Sequence, residues 1–564
     1  MRPESPGGGS GADVDTSNTA RVTGRLGTVD DRDPAALRDQ WYREGFYSDR
    51  TWPDALAESC ATGAATTLVY AGGEGAELVT TVGEIHARAQ RVATALQERG
   101  IGPGDSVAVQ LPNRIEASIA YAAVMLAGAV LVPIVHIYGP NEVRFILEQS
   151  GAKVLFQPDR WRSIDYGNRV AAFADIPTLE HIVVVGEAVP EGACPWDDLL
   201  TTTTEYARPA VHADDVALLI YTSGTTSAPK GVQHSHNSLL AEQQAATEYL
   251  GTGDDAVQLV TFPPGHIAGV GSMLRPLLHG RNTVYMDMWD PALAVELISR
   301  HRVTATAGTP FHLTGMLDIE GVAGKLATLR EFLIGAATVP EDLVRRAGDM
   351  GIGTFRCYGS TEHPTVTSGT ATDPEPARLG TDGSPLPGVR VRIVDETGTD
   401  VPTGVDGEII TRGPDQFVGY RDASLDAAAF TADGWMRTGD LGHLDADGRL
   451  TITDRIKDVV IRAGETISSG QLEDVLVTHP AVAEGAIVAA PDPRYGEMVA
   501  AVVVPVPGAD IDLDSIREHF AESGLAKQKT PERLVVVDAL PRTALGKVRK
   551  AELRAEHFPR AGGR

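Results

Sequence analysis

The chain has 564 residues, more than one compact core usually contains, so at least two domains are expected. Its composition, 42% hydrophobic and 22% charged residues, is that of a globular protein and excludes a fibrous or largely disordered one. The formal net charge of −27 argues against nucleic acid as the main partner, because phosphate backbones are bound by positive surfaces.

The amino-terminal residues 1–20 are rich in Gly, Ser and Asp and contain no apolar run beside basic residues. They are predicted to form a flexible leader and not a signal peptide. The three cysteines, Cys60, Cys194 and Cys357, are far apart in sequence, which argues against a disulfide framework or a zinc site. A reducing, cytoplasmic location is therefore expected.

Residues 117–135 carry no charge over about the length of a membrane span. Ala and Gly dominate this stretch, Gly128 interrupts its helical pattern, and the apolar run that follows is typical of a buried strand. We therefore expect a buried helix followed by a strand, and no membrane span.

Between residues 81 and 160 helical and extended patterns alternate, which is typical of a parallel sheet covered by helices. Thr81 and Glu84 form a capping-box pattern, apolar residues then repeat at helical spacing, and Gly100 is expected to end that helix. Further strands are predicted at residues 106–111, near 130 and at 153–156, and further helices through 121 and over 141–149.

A change of pattern near Leu386 predicts a small β-rich subdomain, because short strands there are separated by Gly, Pro and Asp turns. After residue 454 the chain returns to mixed helices and strands and ends in a basic segment. We therefore predict a boundary near residues 455–458, with an N-terminal domain over residues 21–454 and a C-terminal domain over 455–564.

The strongest local signal is YTSGTTSAPKG, residues 221–231, which follows an apolar strand. Its hydroxyls, backbone N–H groups and Lys230 are the groups that bind a polyphosphate. The loop is not a Walker motif, because Pro229 stands where that motif has a Gly before the Lys. The alternative is an ordinary polar turn, but a turn that closes on Pro-Lys-Gly after a buried strand favours phosphate contact.

This loop is the first of a series of motifs through which the chain resembles the adenylate-forming superfamily. That superfamily contains acyl-CoA synthetases, the adenylation domains of peptide synthetases, and firefly luciferase. The other motifs, in the same order along the chain, are PPGHIAG at 263, LIGAATVP at 333, YGSTE at 358, GEIITRGP at 407, WMRTGDLG at 435, DRIKDVVIRAGETIS at 454, PDPRYGE at 491 and PRTALGKVRK at 541.

The resemblance implies an α/β fold: a large N-terminal domain of two helix-covered sheets with a small β-rich subdomain, then a small, mobile α+β C-terminal domain. It also implies an acyl-CoA ligase that converts a carboxylic acid and ATP to acyl-AMP and pyrophosphate, and then transfers the acyl group to coenzyme A. The expected partners are the acid, ATP, coenzyme A and Mg²⁺; a homodimer is left open.

The resemblance further assigns nucleotide-binding residues. Tyr358 resembles the aromatic residue that stacks on adenine, and Asp440 with Arg455 resembles the pair that binds the ribose hydroxyls. The full set implied for ATP and AMP is Thr222, Ser223, Gly224, Thr225, Thr226, Gly335, Ala336, Ala337, Tyr358, Gly359, Asp440 and Arg455.

The catalytic residues implied are Lys230, Thr361, Glu362 and Lys547. Glu362 supplies a carboxylate of the kind that holds Mg²⁺ against ATP phosphates, and Thr361 can donate to the α-phosphate. Lys547 matches the adenylation lysine of the superfamily, a cation beside the attacking carboxylate and the α-phosphate. The chain has only eight lysines against 41 arginines, so lysines inside these motifs are poorly explained as solvated surface residues.

Lys457 matches the hinge about which the C-terminal domain of the superfamily turns. One orientation presents the lysine loop for adenylation, and the other presents the loop of Arg462, Ala463 and Gly464 for attack by coenzyme A.

Two histidines, His236 and His266, resemble residues near the acyl pocket, and the alternative for His266 is a partly buried structural histidine. Neither is expected to be a general base, because the carboxylate nucleophile is already ionised at neutral pH.

Three positions depart from the common pattern: Ser227 and Ala463 replace Gly, and Ser469 replaces Pro. Ser227 restricts a backbone that Gly leaves free, and Ala463 narrows the path of the thiol by one methyl group.

Two alternatives stay open at this point. One is a stand-alone adenylation enzyme that loads the phosphopantetheine of a carrier protein, and the other is a variant that performs only thioester formation on supplied acyl-AMP. The acid itself is not determined, although residues 135–166 look like those of ligases for cyclic, aromatic or medium-chain acids.

Overall fold

The computed structural model describes residues 34–559 apart from 73–76, 223–228, 248, 252, 254, 336–340, 463–464, 524, 526 and 544–545. The helices are α1 (Pro34–Glu44), α2 (Trp52–Gly63), α3 (Val82–Glu98), α4 (Ile115–Leu126), α5 (Pro140–Ser150), α6 (His236–Ala246), α7 (Ile267–His279), α8 (Pro291–His301), α9 (Pro310–Leu317), α10 (Glu341–Asp349), α11 (Glu375–Gly380), α12 (Asp426–Ala429), α13 (Ser469–Leu476), α14 (Leu513–Glu522) and α15 (Lys550–His557). Short 3₁₀ segments lie at Gly167–Phe173, Trp196–Leu200, Val322–Gly324, Ala423–Leu425 and Lys527–Lys529.

The strands, in chain order, are β1 (Thr67–Ala71), β2 (Leu78–Thr81), β3 (Ser106–Val109), β4 (Val130–Pro133), β5 (Val154–Pro158), β6 (Arg160–Trp161), β7 (Ile164–Asp165), β8 (His181–Val185), β9 (Cys194–Pro195), β10 (Val216–Thr222), β11 (Lys230–Ser235), β12 (Val257–Val260), β13 (Asn282–Met286), β14 (Ala305–Gly308), β15 (Glu331–Ile334), β16 (Gly353–Tyr358), β17 (Thr367–Ser368), β18 (Ser384–Pro385), β19 (Arg390–Val394), β20 (Gly407–Arg412), β21 (Gly419–Tyr420), β22 (Met436–Leu444), β23 (Leu450–Arg455), β24 (Val460–Arg462), β25 (Glu465–Ile467), β26 (Val482–Asp492), β27 (Gly496–Pro505) and β28 (Arg533–Val536).

Two large sheets with parallel centres form the N-terminal part of the molecule. One has the order β18-β17-β16-β15-β14-β12-β13-β1-β2, and the other has the order β21-β11-β10-β4-β3-β5-β8-β9. The largest apolar cluster joins the two sheets through α2, α3, α4 and α7. A second cluster packs α8, α9 and α10 on the outer face of the first sheet, and a third packs α5 on the second sheet. The predicted pair of helix-covered sheets is confirmed.

The helix predicted from the capping box begins where the sequence indicates. Thr81 Oγ1 accepts from the backbone N–H of Glu84 at 3.2 Å, and the Glu84 carboxylate accepts from the backbone N–H of Thr81 at 3.2 Å. The apolar residues at helical spacing, Ile85, Ala89, Val92 and Leu96, are all fully buried. Gly100 follows the helix with a φ of +76°, a conformation that favours glycine.

The uncharged stretch over residues 117–135 forms the helix and the following strand that the sequence predicts. It contains most of α4, the turn at Gly128, and β4 in the second sheet. Every side chain of α4 except that of Glu116 is buried against other parts of the protein. Over the described part of the chain, no helix combines the length and the apolar character needed to cross a bilayer.

Two smaller sheets complete the fold. The β-rich subdomain predicted after Leu386 is the antiparallel sheet β19-β20-β22-β23, which packs on the edge of the first large sheet. The last sheet has the order β25-β24-β27-β26 with β28 beside β27, and it carries α13 and α14 on one face and α15 on the other. The turn at residues 456–458, where the predicted boundary lies, joins these two sheets.

The loop PPGHIAG is held tightly against the second large sheet. Tyr121 of α4 donates its buried hydroxyl to the Pro264 carbonyl oxygen at 2.7 Å. A Cβ at Gly265 would lie 2.3 Å from the Val135 nitrogen, so only glycine allows this approach. These contacts fix the position of His266, which immediately precedes α7.

We predict that Tyr121→Phe destabilises the protein, because it leaves the buried Pro264 carbonyl oxygen without its donor. An unsatisfied buried acceptor costs about 1–3 kcal/mol. The measurement is the urea midpoint of unfolding by tryptophan fluorescence. Tyr206→Phe is the matched control, because the Tyr206 hydroxyl donates to the Leu126 carbonyl oxygen at a half-buried site that water can reach. Equal midpoints for the two variants would contradict the assigned anchor.

Candidate functional site

The motifs meet at the carboxyl edge of the first large sheet, where β14, β15 and β16 end side by side. Gly335 follows β15 and donates its N–H to the Gly308 carbonyl oxygen at 3.0 Å. Gly359 follows β16, and a Cβ there would lie 1.9 Å from the Pro364 carbonyl oxygen. The chain can therefore make this turn only with glycine at position 359. Binding sites in open α/β sheets lie at this edge.

Asp440 is the centre of a charged cluster at this edge. The Tyr358 hydroxyl donates to one carboxylate oxygen of Asp440 at 2.6 Å, and the Arg455 Nε donates to the other at 2.9 Å. Asp440 and Arg455 are register partners across β22 and β23, which explains their proximity. The Asp440 side chain is only 6% exposed, whereas that of Arg455 is 52% exposed. One face of the guanidinium is therefore free for a ligand.

The environment shifts the pKa of both partners of Asp440. Burial raises the pKa of the Tyr358 phenol well above its usual value, and the Asp440 charge raises it further. The Asp440 carboxylate also raises the pKa of Arg455. Tyr358 is thus a neutral donor that orients the carboxylate, and Arg455 is a permanent cation.

Lys547 of the C-terminal segment lies near enough to this cluster for its charge to interact with those of Asp440 and Arg455. The Lys547 side chain is exposed, but the protein around it reduces its hydration. This desolvation lowers the pKa of Lys547 to about 8; the Arg455 charge lowers it as well, and the Asp440 charge raises it. We call the region of Lys547 and the Asp440–Arg455 pair the cleft. Asp440 and Lys547 are more than 100 positions apart in sequence.

His266 lies near enough to Lys547 for the charge of the lysine to affect it. Burial lowers the pKa of His266 to about 4, and the Lys547 charge lowers it further, so the ring is neutral near pH 7. Its Nε2 is buried with no hydrogen-bond partner among the described residues. His266 therefore carries a buried polar atom without a described partner, and its assignment to the acyl pocket stays a prediction.

A second cluster connects Glu362 to Lys230 through Tyr420. The Tyr420 hydroxyl donates to Glu362 Oε1 at 2.8 Å, and the Lys230 Nζ lies 5.0 Å from the centre of the Tyr420 ring. Tyr420 is on β21, which pairs with β11 beside Lys230. Burial raises the pKa of Tyr420, and the Glu362 charge adds to that rise. Sequence analysis missed Tyr420, since no local pattern links it to a residue 58 positions away.

Two buried histidines that sequence analysis also missed hold the loop of Thr361 and Glu362. His234 Nε2 lies 2.8 Å from the Thr361 carbonyl oxygen, and His363 bridges Thr411 and Asp415 at 2.9 Å each. Burial lowers the pKa of His234 to about 4, so its ring is neutral and its Nε2–H can donate to Thr361. These contacts fix the loop on which the Glu362 carboxylate is carried.

The assignment of His236 to the acyl pocket needs correction. Its Nδ1 accepts from the backbone N–H of Trp52 at 3.2 Å, and its side chain is buried at the start of α6. His236 thus satisfies an N–H at the amino end of α2, a structural role. Its neighbour His234, on the opposite side of the strand–helix junction, is the histidine that contacts the site.

Several predicted residues lie outside the described residues: Ser223, Gly224, Thr225, Thr226 and Ser227 of the phosphate loop, Ala336 and Ala337 after β15, and Ala463 and Gly464 after β24. The two ends of the phosphate loop are described. Thr222 ends β10 and pairs with Lys230, which begins β11. The loop between them is thus closed by one register pair.

Of the hinge and the loop predicted to face coenzyme A, the structure describes Lys457 and Arg462. Lys457 is exposed in the turn between β23 and β24, and its carbonyl oxygen accepts from Arg554 at 3.1 Å. Arg462 forms two hydrogen bonds of 2.8 and 3.0 Å with Glu532 and stacks on Tyr495.

Ser469, which stands where the superfamily commonly has Pro, links three parts of this region. Its backbone N–H donates to Asp454, which Pro could not do, and its hydroxyl accepts from Lys550 at 2.8 Å.

The site offers few ligands to a metal ion from the protein alone. Among the described residues, no cluster of three or more His, Cys, Asp or Glu side chains could hold one. Glu362 has one carboxylate oxygen bound to Tyr420 and a second oxygen without a described partner. One carboxylate beside a phosphate site fits Mg²⁺, which is commonly bound by one or two carboxylates with phosphates and water.

Comparison with known proteins agrees with this geometry. The profile of the AMP-binding enzyme family matches residues 57–421, and that of the AMP-binding enzyme C-terminal domain matches residues 471–547. The chain is 32% identical over 529 residues to a medium-chain fatty-acid–CoA ligase of Escherichia coli, which covers 93% of this chain and 90% of that protein.

Two further similarities concern a ring-containing acid and a solved structure. The chain is 36% identical over 480 residues to the 3-[(3aS,4S,7aS)-7a-methyl-1,5-dioxo-octahydro-1H-inden-4-yl]propanoyl:CoA ligase of Mycobacterium tuberculosis, covering 82% of this chain and 91% of that protein. It superimposes on the crystal structure of ATP-bound MatB from Rhodopseudomonas palustris with a TM-score of 0.81 and 29% identity, covering 90% of this chain and 99% of MatB.

The chain therefore belongs to the AMP-binding enzyme family. It is an AMP-forming acid–thiol ligase of the acyl-CoA synthetase type, whose substrates are a carboxylic acid, ATP and coenzyme A.

We predict that Tyr420→Phe lowers the rate of acyl-AMP formation. The ring that faces Lys230 remains, but the Glu362 carboxylate loses its buried donor. A hydrogen bond to a charged group is worth about 1.5–3 kcal/mol, so a loss of roughly 10- to 100-fold is expected. The measurement is acid-dependent pyrophosphate release under saturating ATP. Tyr420→Leu should lose more, because it removes the ring as well, and wild-type rates in Tyr420→Phe would show that Glu362 needs no such donor.

Proposed function

We propose that the cleft performs both half-reactions of the ligase, with Lys547 as the adenylation lysine and the Asp440–Arg455 pair as the ribose site. The observation that supports this proposal is that Lys547 lies near enough to that pair for the three charges to interact. Nothing in the packing of the C-terminal sheet requires a partly desolvated lysine there, because its apolar core is formed by other residues. A negatively charged ligand would be attracted by both Lys547 and Arg455.

In the first half-reaction a carboxylate oxygen of the acid attacks the α-phosphorus of ATP. A new O–P bond forms, the bond from the α-phosphorus to the bridging oxygen breaks, and pyrophosphate leaves with that electron pair. Negative charge accumulates on the α-phosphate oxygens, where the Lys547 ammonium and the Thr361 hydroxyl would stabilise it. Lys230 would bind the outer phosphates, and Mg²⁺ held by Glu362 would supply further charge neutralisation.

The neutral state of His266 suits this reaction. A second cation beside Lys547 would compete with it for the carboxylate, and a neutral ring can instead donate or accept one hydrogen bond. We propose that the unpartnered Nε2 of His266 contacts the acid near its carboxylate. His266 would then position the nucleophile and would not take part in proton transfer, because the carboxylate has no proton to lose near pH 7.

In the second half-reaction the thiolate of coenzyme A attacks the acyl carbonyl carbon. A thioester C–S bond forms, the acyl C–O bond breaks, and AMP leaves. We propose that the C-terminal domain turns about Lys457 between the two steps, so that the strands on either side of residues 463–464 replace Lys547 at the cleft. Support comes from the exposed position of Lys457 in the turn that connects the antiparallel sheet to the C-terminal sheet.

The domain limits and surroundings belong to the same proposal. We place the N-terminal domain at residues 21–454 and the C-terminal domain at 455–564, because the change of sheet falls at the turn after Arg455. All three cysteines are free, which supports a reducing, cytoplasmic location. Each chain carries every proposed site residue, so a homodimer is not needed for the reaction.

The decisive measurement is pyrophosphate release with ATP and Mg²⁺ across aliphatic, alicyclic and aromatic acids, with and without coenzyme A, while acyl-AMP and acyl-CoA are followed by mass. Acid-dependent release with acyl-CoA formed supports the proposal. If acyl-AMP reacts with a phosphopantetheinyl carrier protein but not with coenzyme A, the acceptor is the carrier protein. Thioester formation from supplied acyl-AMP without any pyrophosphate release would restrict the enzyme to its second half-reaction.

We predict that Lys547→Ala slows acyl-AMP formation by about 100- to 1000-fold, the usual loss for one preorganised charge contact. Transfer of the acyl group from supplied acyl-AMP to coenzyme A should remain at the wild-type rate, because Lys547 acts only in the first step. Lys527→Ala, which removes an exposed lysine of the same domain, is the control and should change neither rate. Equal losses in both half-reactions of Lys547→Ala would refute the role.

We predict a specific pH dependence from the lowered pKa of Lys547. Because the protonated lysine is the active form, kcat/KM for ATP–pyrophosphate exchange should fall as the pH rises through about 8. Asp440→Asn removes a charge that raises this pKa, so the fall should move to lower pH, by about one unit. Arg455→Gln removes a charge that lowers the pKa, so the fall should move to higher pH. Shifts in the same direction for both variants would contradict the assignment.

A further inference from the structure

A small cavity of about 20 Å³, lined by both polar and apolar side chains, lies along α7 on the side that faces β12 and β14. Its lining includes Phe262 at the carboxyl end of β12, Thr306 on β14, and Ser272 and Arg275 on α7. The opposite face of α7 packs into the core between the two large sheets. One helix thus separates the apolar core from this cavity.

α7 connects the surroundings of His266 to Arg275, which lines the cavity. His266 immediately precedes α7 beside Lys547, whereas Arg275 is the ninth residue of the helix. At 1.5 Å per residue, roughly 12 Å of helix separates Ile267 from Arg275. An acid whose carboxylate lies at His266 and Lys547 would therefore extend its tail along α7 toward Arg275.

Arg275 is an unusual residue for the end of an acyl pocket. It is only 7% exposed, and its Nε is buried with no hydrogen-bond partner among the described residues. Its nearest acidic partner, Glu242 of α6, lies 3.5 Å from one Nη atom, at the long limit for a hydrogen bond. The guanidinium therefore has donors to spare inside the protein.

The surrounding residues are polar and also incompletely paired. Gln258 on β12 lines the cavity, and its buried Nε2 has no described partner. The buried Oε1 of Gln243 also has no described partner. Gln243 donates to Glu242, and Gly271 leaves space for this group, because a Cβ there would lie 3.1 Å from the Gln243 nitrogen. Burial raises the pKa of Glu242 to about 7, so its charge only partly compensates that of Arg275.

We propose that Arg275 and Gln258 bind a hydrogen-bond-accepting oxygen at the far end of the acid. This inference rests on the proposed function, since it places the reacting carboxylate at Lys547. The preferred acids would carry a ketone or a second carboxylate at the end distant from the reacting group. A plain hydrocarbon tail would remove the remaining water from Arg275 and Gln258 and return no hydrogen bond, which is costly for buried donors.

The competing interpretation is that Arg275 and Glu242 form a structural ion pair that no substrate touches. Both interpretations predict a loss of stability when Arg275 alone is replaced, because Glu242 would then be a buried, unpaired acid. Stability therefore does not separate them. The relative rates for matched acids do, because a purely structural pair changes all acids equally.

The experiment compares matched acids in acid-dependent pyrophosphate release by the full chain. The first set is octanoate, octanedioate and the methyl ketone of the same length; the second is cyclohexylpropanoate and its ring ketone. The wild-type enzyme should favour the oxygenated member of each set by at least about 10-fold in kcat/KM, the effect of one satisfied hydrogen bond to a charged donor. Preference for the ketones over octanedioate, or the reverse, identifies which oxygen is bound.

The test variant is Arg275→Met with Glu242→Gln, which removes both charges and leaves no buried ion alone. It should lose the preference for oxygenated acids and accept the plain acids at least as well as the wild type. Glu242→Gln alone keeps Arg275 and should keep the preference, as should Arg281→Met, which changes a nearby arginine that does not line the cavity. Arg275→Lys should restore part of the preference.

The failures of the two proposals are distinguishable. If no acid supports pyrophosphate release, the proposed function fails before the cavity is tested, and the inference fails with it. If plain acids are activated and the ratio within each set is the same in the wild type and the double variant, the ligase stands and the role of Arg275 is refuted.

Discussion

The ion pair between Asp440 and Arg455 is the contact on which the arrangement of the site depends. Asp440 is almost completely buried, and a buried carboxylate without partners costs several kcal/mol or becomes protonated. Tyr358 and Arg455 prevent both outcomes by donating to its two oxygens. Tyr358 ends a strand of the first large sheet, and Arg455 ends the last strand of the small antiparallel sheet. One carboxylate therefore locks two sheets together at the edge where the motifs meet.

The same pair also determines what happens to the rest of the chain. Arg455 is the last residue before the turn to the C-terminal sheet, so its fixed position sets the point from which that sheet begins. Its charge is one of the causes that lower the pKa of Lys547, which returns to the cleft from nearly 100 residues further on. A register pair in a β-ladder thus contributes, after desolvation, to the pKa of a residue nearly 100 positions further along the chain. This effect on the pKa of Lys547 requires no conformational change, because neighbouring strands hold Asp440 and Arg455 in place.

Sequence patterns predicted the fold well where they depend on neighbours along the chain. The capping box at Thr81, the helix and strand of residues 117–135, and the β-rich region after Leu386 all follow from short-range rules of capping, periodicity and turns. Motif order predicted the family, and it identified Tyr358, Asp440 and Lys547 as candidate site residues. In the structure, Tyr358 donates to Asp440, and Lys547 lies near enough for its charge to interact with that of Asp440. What these patterns share is that each can be recognised without knowledge of long-range contacts.

The contacts that sequence analysis missed all cross the chain. Tyr420 reaches Glu362 only because β21 pairs with β11, and no pattern at residue 420 announces that pairing. His234 and His236 look equivalent in sequence, but His234 lies on β11 and His236 is the first residue of α6. The change from strand to helix directs the two rings differently, so that one contacts Thr361 and the other accepts from an N–H of α2. Arg275 and Glu242 lie on different helices, and their buried pairing becomes visible only when α6 and α7 are packed together.

An acidic protein that binds anionic substrates must place positive side chains close together at its binding site. The repulsion between these side chains contributes to the lowered pKa of Lys547 in the cleft. Without a nucleotide, the pKa of Lys547 is lowered by desolvation and by repulsion from the Arg455 charge. ATP brings negative charge between them, so its binding should restore the ordinary pKa of the lysine and favour the domain position that places it there. Departure of pyrophosphate removes most of that charge, and the repulsion returns while acyl-AMP is still bound. The electrostatic reason for Lys547 to remain in the cleft therefore weakens at the moment when the thiol needs access, which links the chemistry of the first step to the domain movement that we propose for the second.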